Sequence, residues 1–571
     1  MGTMIINGRP VEFSDEKNVL AVIQKAGIDM PTLCYYSELS TYGACRMCVV
    51  EDARGKIDTS CSMVPRDGLE IRTNTARLLR YRKMILELLL SAHECNCTVC
   101  EKSGACRLQK LAHRYGVKNV RFKDTRDQLP KDWSSHAIIR NPNKCILCGD
   151  CVRVCNEIQG MGILDFVNRG SEARVRPAFN EPLSHTMCIS CGQCAAVCPT
   201  NAIQIRRNID DVWRAIFDPK KRVVAQIAPA VRVALGEHFG VEPGQNSIGK
   251  VVSALKALGF DHVTDTVLGA DFTVMEEAAE LMQRLKDGGP FPMFTSCCPA
   301  WVKYCENCAP HLLKHLSTCR SPMQMLAPVI KTYYGQMEPD ERETCSVAIM
   351  PCTAKKMEAA RSEFCTDGVP ETDFVLTTQE LIEMIDEVGI KFNDLVDLAP
   401  DMPLGLGSGA GVIFGASGGV AEAVVRRCLN SDRQYLSSEK VELTQIRGFE
   451  NVKEASVMLD GTEVRIAVVH GLKDAQRLLA EIHAGKRHYH LVEVMSCKGG
   501  CVGGAGQPYS LTSVKRERAA GLYVADKMSG IRSSDENPII NYLYDSVVRG
   551  QAHKMLHVNY QKQDAGVPES L

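Results

Sequence analysis

Cys297 and Cys298 are adjacent thiols in the segment FTSCCPAW (294–301), and they are the residues here best suited to do chemistry as a pair. One can ligate a metal while its neighbour, near the ordinary thiol pKa of about 8.5, carries a proton at neutral pH. Two other segments carry thiols of the same kind, MPCTAK (350–355) and EVMSCKGGCVGGAGQP (493–508). Together the three offer Cys298, Cys352, Cys497 and Cys501 as four thiolates and leave Cys297 over. A CC pair alone reads as two buried structural cysteines; the other two segments turn the reading toward a metal centre.

The chain has 571 residues, enough for roughly four domains of about 150 residues. Its 27 cysteines are about 5% of the chain, below the roughly 8–10% of small disulfide scaffolds. They fall in tight C-x-x-C runs, which suits metal ligation in a reducing cytoplasm better than disulfides. A net charge of −1 gives no basic field for nucleic acid or an anionic membrane. The N-terminus reads as a hairpin around Asn7-Gly8, without an apolar signal core. No apolar run approaches the roughly 20 residues that span a bilayer.

Cys34, Cys45, Cys48 and Cys61, spaced C-x10-C-x2-C-x12-C, suit a 2Fe–2S cluster, with zinc as the alternative. A helix is expected at 18–26 before them, and an amphipathic one at 76–92 after them. His93, Cys97, Cys100 and Cys106 then give one imidazole and three thiolates for a 4Fe–4S cluster, whose potential the neutral His should raise. Residues 107–140 read as a polar connector. Cys145, Cys148, Cys151 and Cys155, and again Cys188, Cys191, Cys194 and Cys198 before Pro199, form the bacterial two-cluster run. In that run the fourth cysteine serves the other cluster, so Cys198 joins the first trio and Cys155 the second. Four accessory clusters make an electron wire, which does not by itself say what it feeds.

From about residue 210 strand-like runs (222–227, 291–295, 346–350, 464–469, 491–494) alternate with helical stretches at 248–258 and 271–286, an α/β pattern. Residues 405–419 are Gly-rich without a dinucleotide fingerprint, and Val251 spoils the one phosphate-loop look-alike. Cys305-x-x-Cys308 lacks a matching second half and reads as structural thiols. Glu277 and Glu280 share one helical face with Arg284 a turn further, which alone reads as a solvated acidic face. The fold expected overall is α+β multidomain. A β-grasp ferredoxin domain (1–78), a domain whose 4Fe–4S cluster has one histidine and three cysteine ligands (79–137), and a two-cluster ferredoxin domain (138–208) precede a two-lobed α/β domain (209–571).

TSCCPAW (295–301), MPCTAKKMEA (350–359) and EVMSCKGGCVGGAGQP (493–508) resemble the three signature segments of iron-only (FeFe) hydrogenases, and with the accessory motifs the resemblance covers nearly the whole chain. It implies the reaction 2H⁺ + 2e⁻ ⇌ H2 at an H-cluster, a 4Fe–4S cube linked to a two-iron unit bearing CO, cyanide and azadithiolate. Cys298, Cys352 and Cys497 would hold the cube and Cys501 would bridge. Lys355 would donate to a cyanide, as would backbone N–H groups near Pro229–Ala230 and Ser321. Met350, Phe414 and Met495 would form the apolar wall. Cys297, Glu277, Ser317 and Glu280 match the family's proton relay. Residues 509–571 resemble its small-subunit segment. Ala505 and Met323 depart from the usual Gly and Gln and are expected to affect oxygen sensitivity or bias. Ferredoxin or flavodoxin is the implied electron partner, and maturation proteins insert the two-iron unit. The alternatives within the same fold are a hydrogen sensor, an iron–sulfur scaffold protein, and a subunit of an electron-bifurcating complex.

Overall fold

The computed structural model describes residues 1–123, 127–337, 341–431, 443–509 and 514–563. At the N-terminus Asn7 and Gly8 both hold positive φ, 51° and 80°, and close a two-residue hairpin between strands Gly2–Ile6 and Arg9–Phe13. Gly2–Ile6 also runs parallel to Glu70–Arg72, inside a five-stranded sheet completed by Val49–Asp52 and Ile57–Thr59. The helix Val19–Lys25, capped by the Asn18 side chain, packs Val19, Leu20, Val22 and Ile23 against this sheet's core. The expected helix at 76–92 runs Ala76–Ser91 behind a Thr75 cap.

The expected connector at 107–140 begins as a helix instead, Arg107–Arg114. Leu108 and Leu111 are its buried face, an i, i+3 pair hidden among Arg, Lys, Gln and His. Two short ribbons follow, Ile138–Arg140 with Ile203–Ile205 and Asp165–Val167 with Arg174–Arg176.

Two four-stranded sheets form the larger C-terminal region. The first has strands β1 (Lys221–Ile227), β2 (His262–Asp265), β4 (Glu343–Met350) and β5 (Phe374–Thr377), all parallel in the order β2-β1-β4-β5. The second has β3 (Met293–Phe294), β6 (Val452–Leu459), β7 (Thr462–His470) and β8 (Leu491–Met495) in the order β3-β8-β7-β6, with only β6 antiparallel. β8 is buried along its whole length, as a strand covered on both faces must be. β3 is shorter than the expected 291–295 because Pro290 and Pro292 cannot donate to a ladder.

Helix α1 (Thr266–Asp287) starts a turn and more before the expected 271, capped by Asp265. Its first half is buried on all sides, so no amphipathic period marks it. Asp271 in that half accepts hydrogen bonds from Ser408 N (2.9 Å), Ser534 Oγ (2.8 Å) and Asn537 Nδ2 (2.9 Å). It ties the C-terminal segment to α1, and burial lifts its carboxyl to about 6. Of the 509–571 segment, residues 510–513 and 564–571 lie outside the described residues. Among the described residues no helix is long and apolar enough to cross a membrane.

Asp271→Ala strands those three buried donors. It should cost about 3 kcal/mol or more and loosen the C-terminal segment toward proteases. Calorimetry and limited proteolysis check this; an unchanged melting temperature contradicts it.

Candidate active site

Each of the three thiol segments leaves the carboxyl end of a parallel strand, where open α/β sheets place their sites. β3 runs into Thr295–Cys298, β4 into Pro351-Cys352, and β8 into Ser496-Cys497. Two sheets thus contribute to one point. Cys298 is the N-cap of helix α2 (Pro299–Cys308), and Cys352 lies just before helix α4 (Ala354–Ala359), with α3 (Pro322–Thr332) between them in sequence. The thiols of Cys298, Cys352, Cys497 and Cys501 lie close enough to act on one another electrostatically, and burial pushes Cys352 up to about 11.

Gly506 N donates to Pro351 O at 2.9 Å, stitching the third segment to the second. A Cβ on Gly504 would lie 2.1 Å from the same carbonyl, and Gly500 holds φ of 90°. Only glycine permits both.

Four soft thiols in one buried site are a donor set for an iron–sulfur cluster. Among the described residues no group of His, Cys, Asp or Glu side chains closes tightly enough for a single metal ion.

Two further side chains, one of them outside the three thiol segments, touch these sulfurs. Gln193 Nε2 donates to Cys497 Sγ at 3.3 Å and to Gly503 O at 3.0 Å. Ser496 Oγ lies 3.5 Å from Cys298 Sγ. Both residues neighbour cysteines in sequence, yet only the tertiary structure shows which sulfur each meets. Gln193 belongs to the Cys191–Cys194 loop, whose Gly192 presses on Thr353: a Cβ there would be 2.2 Å from Thr353 Oγ1. Thr353 Oγ1 in turn donates to Ser190 O at 2.9 Å. The wire therefore abuts the thiol site directly.

Around that site Pro229, Ala230, Ser321, Met350, Phe414 and Met495 are all buried. Phe414 and Met495 share an apolar cluster with Cys297 and Cys298. Pro229 has no N–H, so the backbone donor expected there falls to Ala230, in the first turn of the short helix Pro229–Val231. Lys355 is not a solvated charge. It is 9% exposed, with Nζ 2.8 Å from Glu358 Oε2 and 3.4 Å from Cys297 O. Desolvation pulls its pKa down, but Glu358 outweighs this and holds it above its ordinary value, so it stays an ammonium. Ser321 Oγ donates to the same Glu358 oxygen at 3.0 Å. Glu358, three residues after Lys355, was readable as its i, i+3 partner.

The acidic face is buried too. Glu277 is fully buried, with Oε1 3.5 Å from Ser296 N and Oε2 without a partner. Burial, then the nearby Glu280, lifts its carboxyl to about 8, and the Ser296 backbone N–H offsets part of the rise. Ser317 Oγ donates to Glu280 Oε2 at 3.0 Å, and Arg284 holds Glu280 Oε1 at 2.5 Å. Burial raises the Cys297 thiol, and Glu277 is the charge that weighs on it most.

The accessory residues gather in the expected sets. His93, Cys97, Cys100 and Cys106 line one cavity. His93 Nδ1 meets Lys144 O at 3.0 Å, which leaves Nε2 for a metal. Cys155 lines a second cavity with Cys188, Cys191 and Cys194. Cys148 feels Cys198 and Cys145, and Cys151 feels both as well. Cys45 N donates to Cys34 Sγ at 3.3 Å and Leu33 N to Cys45 Sγ at 3.4 Å, and Cys48 pairs with Cys61. Cys34, Cys45, Cys106 and Cys148 all border one apolar cluster, so three sites meet there. Cys305 is buried and Cys308 exposed. Ala505 and Met323 are buried; the Ala505 carbonyl accepts from Gln379 Nε2 at 3.1 Å and the Met323 carbonyl from Gln226 Nε2 at 3.3 Å.

Family models match the chain in five stretches. They are a 2Fe–2S cluster binding domain (3–76), an NADH-ubiquinone oxidoreductase-G iron–sulfur binding region (82–121), a 4Fe–4S dicluster domain (144–202), the C-terminal domain of the iron-only hydrogenase large subunit (221–505), and the iron hydrogenase small subunit (512–563). The chain is 41% identical to an NADP-reducing hydrogenase subunit of Solidesulfovibrio fructosivorans over 99% of both chains. It is 35% identical to iron hydrogenase 1 of Clostridium pasteurianum over 98% of this chain and 100% of that one. The solved FeFe-hydrogenase HydA1 of Chlamydomonas reinhardtii superposes with a TM-score of 0.57 at 36% identity, covering 63% of this chain and 100% of that one.

Glu277 titrates near 4.5 when unfolded and near 8 when folded, so its contribution to stability is lost as pH rises from one to the other. Glu277→Gln, which cannot ionise, should melt higher than wild type at about pH 8 and above and almost equally near pH 5. Melting curves at the two pH values check this; no pH dependence of the difference contradicts it.

Proposed function

Because the chain belongs to the iron-only hydrogenase family and so interconverts hydrogen with protons and electrons, we propose how its own residues divide that work. Cys298, Cys352 and Cys497 would hold the cube and Cys501 would join it to the two-iron unit; the observation that carries this is their convergence from two sheets on one buried site. Bound, the two-iron unit supplies the open metal site at which hydrogen is split heterolytically or formed. Lys355 keeps one N–H beyond those spent on Glu358 and Cys297 O for a cyanide. Ala230 N and Ser321 N are the backbone donors, and Met350, Phe414 and Met495 exclude water.

Cys297 exchanges the proton with the site, Glu277 takes it from Cys297, and Ser317 passes it to Glu280. The raised Glu277 carboxyl supports this role, since a group titrating near 8 both accepts and releases a proton at neutral pH. The accessory clusters would carry the electrons: one held by Cys155, Cys188, Cys191 and Cys194 would stand nearest the thiol site, beside Gln193, and one held by Cys145, Cys148, Cys151 and Cys198 would follow. Cys106 of the His93 set, and Cys34 and Cys45 of the 2Fe–2S set with Cys48 and Cys61, border the same apolar cluster as Cys148, so both sets would adjoin that second cluster. With one 2Fe–2S, three accessory 4Fe–4S clusters and the H-cluster, the chain has two entry points for electrons. We keep the limits 1–78, 79–137, 138–208 and 209–571 for the domains that carry them. The intact thiol acid Cys297 and the complete third segment favour catalysis over sensing or scaffolding.

The electron partner is ferredoxin or flavodoxin, in a reducing cytoplasm, with maturation proteins loading the two-iron unit. A second reading has one specific support: a relative that matches end to end is a subunit of an NADP-reducing hydrogenase. On that reading the same two entry points take electrons to or from a second protein of a larger complex.

Reduced ferredoxin as sole donor should sustain hydrogen evolution by the isolated, matured chain. If it does not, and added flavin-bearing subunits do, the second reading replaces the first. Cys297→Ser should keep its iron–sulfur spectra and lose at least about 10²-fold in turnover; near wild-type rates contradict the relay. Gln193→Leu removes a hydrogen bond to a ligand sulfur and should lower the midpoint potential of the cube in an EPR-monitored titration. An unchanged potential contradicts that tuning.

A further inference from the structure

The relay just proposed ends at Glu280, and the group beside it cannot carry a proton onward. Arg284 stays protonated at every working pH. Its guanidinium is also committed, to Glu280 and to the carbonyls of Pro290 (3.3 Å), His315 (3.1 Å) and Leu316 (2.8 Å). It anchors Glu280 and fixes its carboxylate.

A different contact leaves Glu280 toward solvent. Thr318 Oγ1 lies 3.2 Å from Glu280 Oε2 and 2.9 Å from His557 Nδ1. His557 Nε2 lies 3.0 Å from Glu276 Oε2, and the Tyr544 hydroxyl donates to the other oxygen of Glu276. The backbone builds this arrangement. Arg320 N donates to Leu556 O at 2.9 Å and Val558 N to Thr318 O at 2.8 Å, so 318–320 and 556–558 pair antiparallel. Arg320 Nε also holds His557 O at 3.1 Å. Thr318 is exposed, and the side chains of His557 and Glu276 keep 15% and 20% of their accessible surface. The chain of contacts therefore runs from the buried Ser317 to water.

We propose that His557, reached from Glu280 through the Thr318 hydroxyl and oriented by Glu276, is the outer proton carrier of this hydrogenase. The inference rests on the Cys297–Glu277–Ser317–Glu280 reading and extends it. In the outward step the protonated Glu280 gives its proton to Thr318 Oγ1, whose own hydrogen passes to His557 Nδ1. One O–H bond breaks at Glu280 and one N–H bond forms at His557. Glu280 is left a carboxylate and His557 an imidazolium paired with Glu276, which then releases its proton to water. Hydrogen evolution runs the same steps inward. Imidazole is the side chain whose ordinary pKa places this exchange near neutrality. The C-terminal segment would then supply a working group as well as covering the larger region.

The charged and titratable groups facing His557 are Glu276 and Glu280 on α1, Arg320, Tyr544, and the His553 ring stacked on it at 5.3 Å between centroids. Lys554 lies three residues before it, and its carbonyl accepts from Arg320 Nη2 at 2.8 Å. Arg320 is itself taken by Glu371 at 2.6 Å.

The test compares matured wild type with His557→Ala, Thr318→Val, Thr318→Ser and Glu280→Gln, after iron content and cluster EPR show each to be loaded alike. His557→Ala and Thr318→Val should lose about tenfold or more in turnover, with a larger solvent deuterium isotope effect, while Thr318→Ser keeps its rate. Added imidazole should restore His557→Ala but not Glu280→Gln. Wild-type rates in His557→Ala and Thr318→Val beside an inactive Glu280→Gln overturn the proposal alone. A loss that imidazole does not restore overturns it as well. A fully active Glu280→Gln overturns the relay on which it rests.

Discussion

Four thiols are buried together where the carboxyl ends of two sheets meet, and the rest of the structure follows from keeping them there. Buried thiolates without compensation would cost far more than a fold can spare, and burial accordingly drives these thiols toward their neutral forms. Iron bound there would reverse that preference by drawing charge from the sulfurs. The protein's part is geometric. The all-buried strand β8 sets Cys497, the β4 terminus sets Cys352, and the glycines at 500 and 504 let the third segment fold back onto Pro351. Glu493, fully buried inside β8, accepts from Gly418 N at 2.6 Å and Ala421 N at 2.9 Å. It pins the Gly-rich 405–419 stretch, and with it Phe414, against the same site. That stretch has a structural use.

On the division of work proposed above, electrons and protons would approach this centre from opposite sides and use different physics. The electron side is made of close contact. Gly192 against Thr353 and Gln193 against Cys497 bring a ferredoxin loop onto the thiol segments without intervening layers. The proton side is made of burial. Glu277 and Ser317 are fully buried, and Glu280 is nearly so, held by Arg284 and the Thr318 backbone. A carboxyl lifted into the neutral range by its surroundings exchanges protons there, whereas a solvated one would not.

Much of this was legible in the sequence because ligand sets are local. C-x-x-C runs and the H-x3-C-x2-C-x5-C pattern place their donors within one loop, and Asn7-Gly8 specifies its hairpin through φ alone. What was not legible depends on chain-distant contacts. Glu277 on its own sequence looks like a solvated face, and only the packing of α1 buries it. Gln193 meets a sulfur 304 residues away, and Thr318 meets His557 across 239. The first turn of α1 and the helix at 107–114 escape a periodicity argument for opposite reasons. One is buried on every side, and the other hides two leucines among charges. The backbone donor near 229 belongs to Ala230 because proline has no N–H, a point that residue chemistry alone decides.

The central claim is that the four convergent thiolates hold a cluster competent for hydrogen chemistry once the two-iron unit is added. Anaerobic hydrogen evolution from reduced viologen, with and without co-expressed maturation proteins, tests it most directly. Evolution that depends on maturation is the predicted result. A chain shown by infrared bands of CO and cyanide to carry the two-iron unit, yet evolving no hydrogen, would contradict it.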